Sequence, residues 1–135
     1  MAELVVIGFG GTSGAVASGE YDPTIVSDVG TPVGNEFVWM RVGKIVSVSG
    51  LVAQIDNTAG FIRCELPIPG AIRMSGTLTY GGTNAEGGDP DAMPIGTCVV
   101  DQGPGDTAEV QLFWSGVHAL PPNTLWTLEF SYSIP

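Results

Sequence analysis

The stretch Phe37 to Asp56, FVWMRVGKIVSVSGLVAQID, restricts the chain more than any other. Val46, Val48 and Val52 fall on one side of a period-2 alternation, and Ser47 and Ser49 on the other. That is the pattern of a strand with one face on a core and one on water. Gly43 supplies the tight turn into it, which a residue with a Cβ would resist. Arg41 and Lys44 flank that turn, where both charges stay solvated. Gly50 interrupts the valine face and marks an expected bulge or bend. A hairpin of this kind needs a second layer to cover its valines, so the expected fold is an all-β, antiparallel β-sandwich.

The rest of the chain agrees. Thr107 to Trp114 alternates Ala108, Val110, Leu112 and Trp114 inward with Glu109, Gln111 and Phe113 outward. The last strand alternates Trp126, Leu128, Phe130, Tyr132 and Ile134 with Thr127, Glu129, Ser131 and Ser133. Further strands are expected at Tyr21–Val26, at an edge because of Pro23, and at Phe61–Leu66, Arg73–Tyr80 and Ile95–Asp101. Turns fall at Gly30–Asn35, at Asn57–Gly60 and at Gln102–Asp106. Gly81–Pro94 is the longest loop, and Ser115–Asn123 is a proline-containing connection. This makes about eight strands and no helix of ordinary length. The connections are too short for parallel crossovers.

Size and charge narrow the function. A chain of 135 residues is one domain by length. Residues 20–135 are expected to form the sandwich, and residues 1–19 an N-terminal arm that attaches to a partner or exchanges a strand. Charged residues make up 13%, against about 25% in an average domain, so the surface relies on Ser, Thr, Asn, Gln and Gly. The net charge is −10 and the only cations are Arg41, Lys44, Arg63 and Arg73, which leaves no basic patch for phosphates. Nucleic acid and acidic membrane surfaces are therefore not expected partners. Leu4 to Ile7 is far short of the roughly 20 residues of a membrane span and lacks the basic flank of a secretory signal. Cys64 shares a face with Ile62 and Leu66, and both Cys64 and Cys98 are expected as buried free thiols.

No constellation of catalytic residues emerges. Gly8-Phe9-Gly10-Gly11-Thr12-Ser13 superficially resembles a dinucleotide-binding turn, but Ser13 stands where the third glycine belongs and no helix follows. His118 is the single histidine and has no nucleophile elbow beside it. Glu86, Asp89 and Asp91 could serve calcium in a glycine-rich loop, but their spacing does not match an EF-hand loop; a solvated acidic loop is the expectation. The chain is read as a non-enzyme, with no cofactor and no metal. Phe37 and Trp39 share one face of their strand while Val38, Met40 and Val42 share the other. Apolar character on both faces, with Phe113 pointing outward, indicates an interface. Phe37, Trp39 and Phe113 are accordingly the expected oligomer contacts.

A set of short segments carries a family resemblance. In order they are Tyr21-Asp22-Pro23-Thr24, Trp39-Met40-Arg41-Val42-Gly43, Val46-Ser47-Val48-Ser49-Gly50, Leu66-Pro67-Ile68-Pro69, Ser75-Gly76-Thr77 and Phe130-Ser131-Tyr132. Residues Glu20 to Pro135 thereby resemble a module of tailed-bacteriophage virion proteins, found at tail-fibre ends and in small head or capsid decoration proteins. The resemblance implies a jelly-roll-like sandwich, a homotrimer and no enzymatic activity. It implies a protein assembled in the host cytoplasm and placed on the virion surface, in contact with the major capsid protein or another virion protein. Leu4, Val5, Val6, Ile7 and Phe9 are the expected attachment residues, adding a strand to the partner. The alternative is a receptor-binding tip domain that contacts a host surface glycan or protein through Asn84, Glu86, Asp89, Asp91 and His118.

Overall fold

The computed structural model describes residues 4–7, 16–56, 58–80, 95–114 and 125–135. Ten strands run through them: β1 (Leu4–Ile7), β2 (Val16–Tyr21), β3 (Ile25–Ser27), β4 (Val33–Val42), β5 (Ile45–Ala53), β6 (Phe61–Glu65), β7 (Arg73–Tyr80), β8 (Ile95–Gly103), β9 (Thr107–Trp114) and β10 (Leu125–Ser133). They form a six-stranded sheet in the order β1-β2-β4-β5-β10-β7 and a four-stranded sheet in the order β3-β6-β9-β8. Every pairing is antiparallel. The expected β-sandwich is the observed fold, with two strands more than the alternation suggests. The extra two arise near the N-terminus. β1 pairs with β2 within its own chain, Leu4 opposite Gly19 and Ile7 opposite Val16. The segment expected as one strand, Tyr21–Val26, is divided at Asp22-Pro23-Thr24, where the chain leaves one sheet for the other. Pro23 has no N–H for a ladder and is buried at this crossing. β2 thus lies astride the expected boundary between arm and sandwich.

The hairpin β4–β5 closes through the two residues Gly43 and Lys44, with Val42 opposite Ile45. Gly43 has φ 58°, which suits the first position of a type II′ turn. The Arg41 Nε donates to the Gly43 carbonyl at 2.7 Å and braces the turn. This register sets Trp39 beside Val48 and Arg41 beside Val46. The valine face of β5 is buried, so Trp39 and Phe37 are buried with it.

The irregularity expected at Gly50 sits instead on the facing strand. Asn35 pairs with Leu51 and Val38 with Ser49, so Glu36 and Phe37 together oppose Gly50. This is a β-bulge, and Glu36 enters it at φ 54°, in the left-handed region. The bulge turns the Phe37 ring inward across Gly50. A Cβ on Gly50 would lie 2.3 Å from that ring, so the glycine is required by close packing rather than by its own backbone.

The core lies between the sheets. Trp126, Leu128, Phe130, Tyr132 and Ile134 all face it, as do Ala108, Val110 and Leu112 of β9. The side chain of Trp114 lies outside the described residues, as does that of Cys98. Cys64 is a buried free thiol between Ile62 and Leu66. Polar clips hold the sandwich where strands end. The Tyr132 hydroxyl donates to the Ile68 carbonyl at 2.7 Å and accepts from the Ile68 N–H at 3.2 Å. The Tyr21 hydroxyl donates to the Glu65 carbonyl at 3.0 Å, tying β2 in one sheet to the end of β6 in the other. The Asp28 carboxylate accepts from the Gly60 and Phe61 N–H groups at 3.0 and 3.3 Å, and Asp56 accepts from the N–H and hydroxyl of Thr58.

Burial pushes the Cys64 thiol and the Tyr132 phenol up to about 12, and raises the Tyr21 phenol further. Partial desolvation pulls Asp28 upward, but the Gly60 and Phe61 N–H groups prevail and hold it below 3.8. The Thr58 hydroxyl and N–H depress Asp56 in the same way.

Gly50→Ala should destabilise the fold by about 1–3 kcal/mol through overpacking against Phe37. Thermal unfolding should show the loss, and Phe37→Leu in the same chain should recover part of it. Stability should also depend on pH. The thiol and phenols stay protonated more tightly in the folded protein, so their contribution is complete below pH 9 and fades as pH rises towards 12. The carboxylates do the opposite, contributing above the ordinary carboxylate range and less as pH falls below 3.8. Unfolding midpoints measured by circular dichroism should form a plateau between these limits; a maximum near the sequence pI of 4.1 would contradict it.

Candidate interaction surfaces

The sandwich presents two outer faces, and the strand registers determine what each carries. On the six-stranded sheet three rows cross β2, β4, β5, β10 and β7. One row is Glu20, Val38, Ser49, Glu129 and Thr77. The next is Ser18, Met40, Ser47, Ser131 and Ser75. The third is Val16, Val42, Ile45, Ser133 and Arg73. Each lies on the side away from the core because its neighbours in the strand point inward.

The first two rows of this face line a shallow trough of about 950 Å³. Its floor is hydroxyl-rich, with the Ser47 and Ser131 hydroxyls 3.2 Å apart. Along β4 and into β5 it rises into an apolar stripe: Val38, Met40, Val42 and Ile45 are each about half exposed, at 46%, 49%, 53% and 49%. Acid and base are separated on it. Glu20 and Glu129 share the first row, Arg73 ends the third, and Lys44 lies in the turn just beyond. Among the described residues the one ion pair is Arg63–Glu109, on the opposite side of the molecule, so these four charges have no salt-bridge partner there.

The outer face of the four-stranded sheet is organised differently. The Arg63 guanidinium lies 4.3 Å over the Phe61 ring and its Nε is 2.7 Å from Glu109 Oε2. Gln111 Nε2 donates to Glu109 Oε1 at 2.7 Å. Beside this network Phe113 and Val99 are 51% and 52% exposed. Arg63, Glu109 and Gln111 are bonded to one another here, and Val26, the cross-strand partner of Arg63, is exposed beside them.

These positions correct the expected oligomer contacts. Phe37 and Trp39 are 2% and 9% exposed and belong to the core, so neither can meet a partner. Phe113 is exposed as expected, but on the face remote from β4. The outward apolar residues of the hairpin are Val38, Met40, Val42 and Ile45. The sequence carries the signal for this. A two-residue turn at Gly43-Lys44 pairs position 39 with 48, and Val48 is on the core face. Leu4 to Ile7 form the edge strand β1, whose side chains lie outside the described residues. So do Phe9, Asn84, Glu86, Asp89, Asp91 and His118, which leaves the receptor-contact expectation without a structural placement.

Comparison with protein-family models, with curated proteins and with solved structures yields no match.

The two environments of β4 predict opposite mutational behaviour. Phe37→Ala should cost about 3–5 kcal/mol as a cavity in the core. Met40→Thr and Phe113→Thr should each stay within about 0.5 kcal/mol of the parent if the chain is studied as a monomer. Chemical denaturation of the three variants at low protein concentration checks this; a large loss in Met40→Thr would place that side chain in the core.

Proposed function

We propose that the chain is a non-enzymatic structural protein of a bacteriophage virion surface, a self-associating capsid decoration or head-appendage protein attached through its N-terminal segment. The observation that carries this reading is the half-exposed apolar stripe Val38-Met40-Val42-Ile45 on an otherwise hydroxyl-rich sheet. A contiguous apolar surface of this kind is a recognition surface more often than an accident of packing. The resemblance of residues Glu20 to Pro135 to virion modules supplies the setting, with a homotrimer as the oligomer it implies. The major capsid protein or a neighbouring virion protein is the attachment partner. Attachment proceeds by strand addition at the edge that β1 forms, where main-chain groups give affinity without special side-chain chemistry. Many weakly bound copies on one shell would raise its stability by mass action.

Co-sedimentation tests the reading. Labelled protein is offered separately to capsids lacking it and to host cells. Saturable binding to capsids is expected, lost on deleting residues 2–15 while the remaining chain stays folded. The deletion stops at residue 15 because β2 begins at Val16 and is flanked on both sides within the sheet. Binding to cells that survives the deletion would instead assign the protein to host recognition at a tail-fibre tip.

A further inference from the structure

We propose that the outer face of the six-stranded sheet binds a second copy of the same face, two-fold related, with the rotation axis lying along the row Ser18-Met40-Ser47-Ser131-Ser75. The inference rests on the self-association reading above but sets a two-fold dimer in place of the homotrimer that the resemblance implies.

The pattern of charge on the face is what selects the partner. A rotation about the middle row leaves each strand opposite its own copy but reverses its direction. The first row of one copy then lies over the third row of the other. Arg73 comes over Thr77 of the second copy, one strand from that copy's Glu129, since Thr77 and Glu129 are cross-strand partners. Neighbouring strands are about 4.8 Å apart, a distance a long arginine side chain spans. By the same rotation Lys44, in the turn joining β4 and β5, approaches the second copy's Val38, whose cross-strand partner is Glu20. The four charges of this face, none of them in a described ion pair, are thereby matched with opposite charges.

The apolar stripe is self-complementary under the same operation. Val42 lies over Val38 of the second copy, Met40 over Met40, and Ile45 over Ser49. A two-fold contact is isologous, so a patch that is complementary to itself closes at two copies. Five strands about 4.8 Å apart and roughly eight residues long give a face of about 600 Å² per copy, near the lower bound for a specific interface. The hydroxyl floor of the trough leaves room for bridging waters, which interfaces of this size commonly hold. On the four-stranded sheet the one cation among the described residues, Arg63, is already engaged by Glu109 of its own chain.

Sedimentation equilibrium on the full chain tests the proposal. A concentration-dependent dimer is expected, weakened by added salt. Met40→Glu, which sets two like charges on the axis, should leave a monomer, and Phe113→Ser should leave the dimer unchanged. Arg73→Glu and Glu129→Arg should each raise the dissociation constant about tenfold. The double exchange in one chain should return it to within about threefold of the parent, because the two positions then carry opposite charges across the axis once more. Both substitutions lie on the outer face, and circular dichroism confirms that each variant is folded. A protein that stays monomeric at millimolar concentration overturns this proposal and the self-association reading together. A trimer, or a dimer lost in Phe113→Ser or not rescued by the double exchange, overturns the two-fold face alone.

Discussion

The two-residue turn at Gly43-Lys44 is the constraint on which the rest of the structure depends. Its length fixes which residues of β4 stand opposite which residues of β5, and a shift of one position would carry every side chain to the other face. With Val42 opposite Ile45, the aromatic residues Phe37 and Trp39 join Val46, Val48 and Val52 in the core. The same register obliges Val38, Met40 and Val42 to face out. β10 then docks along β5 without a break, Tyr132 opposite Val46 and Trp126 opposite Val52, and adds its own alternating aromatic face to the same side. The exposed apolar stripe and the buried aromatic core are two consequences of a single turn.

How far such a chain can be understood from its sequence depends on whether the controlling interaction is local. β7, β9 and β10 are legible, because strict alternation with β-branched and aromatic residues leaves one reasonable face for each. The existence of two sheets is legible for the same reason. The bulge at Glu36-Phe37 is not. Gly50 signals that something unusual happens, but its cause is an aromatic ring arriving from the neighbouring strand, and nothing in the local sequence of β5 contains that ring. The split between β2 and β3 escapes a sequence reading because Pro23 is compatible with an edge strand and with a crossing between sheets. Only the position of the second sheet decides between them. The interface residues are misread although the information is present: aromatic size suggests binding, whereas the turn register already places Trp39 beside Val48.

The two outer faces show how a sequence with few charges handles exposed sheet. On the four-stranded face one ion pair, a ring and an amide form a compact network about Glu109, worth little in stability because it is partly exposed. On the six-stranded face serines and threonines perform the solvation, and the charges are spread to opposite ends of the strands. Serine rows bind water without imposing a net potential. The local field is thus set by Glu20 and Glu129 at one end and by Arg73 and Lys44 at the other. A chain of net charge −10 repels its copies as a whole, and a face that is locally dipolar is a means by which two copies can still meet in one orientation.

Sheet ends raise a separate problem, since unpaired backbone groups invite further strands. Here the ends differ. β7 and β8 lie against one another across the sandwich, so each shields the other. β3 has three residues, too few to template a long ladder. β1 is the remaining end. Its sequence, Leu-Val-Val-Ile, has no charge, no proline and an unbroken register with β2. Charge, proline and broken register are the devices by which an edge is ordinarily blunted, and none is present within the strand. Among the described strands this is the edge on which the proposed strand addition by a partner rests. The division of labour in the molecule then becomes coherent. The broad face is the one proposed to meet an identical copy in a fixed orientation through its side chains. The narrow edge carries main-chain donors and acceptors, which can accept a strand from a different protein with little regard to its side chains.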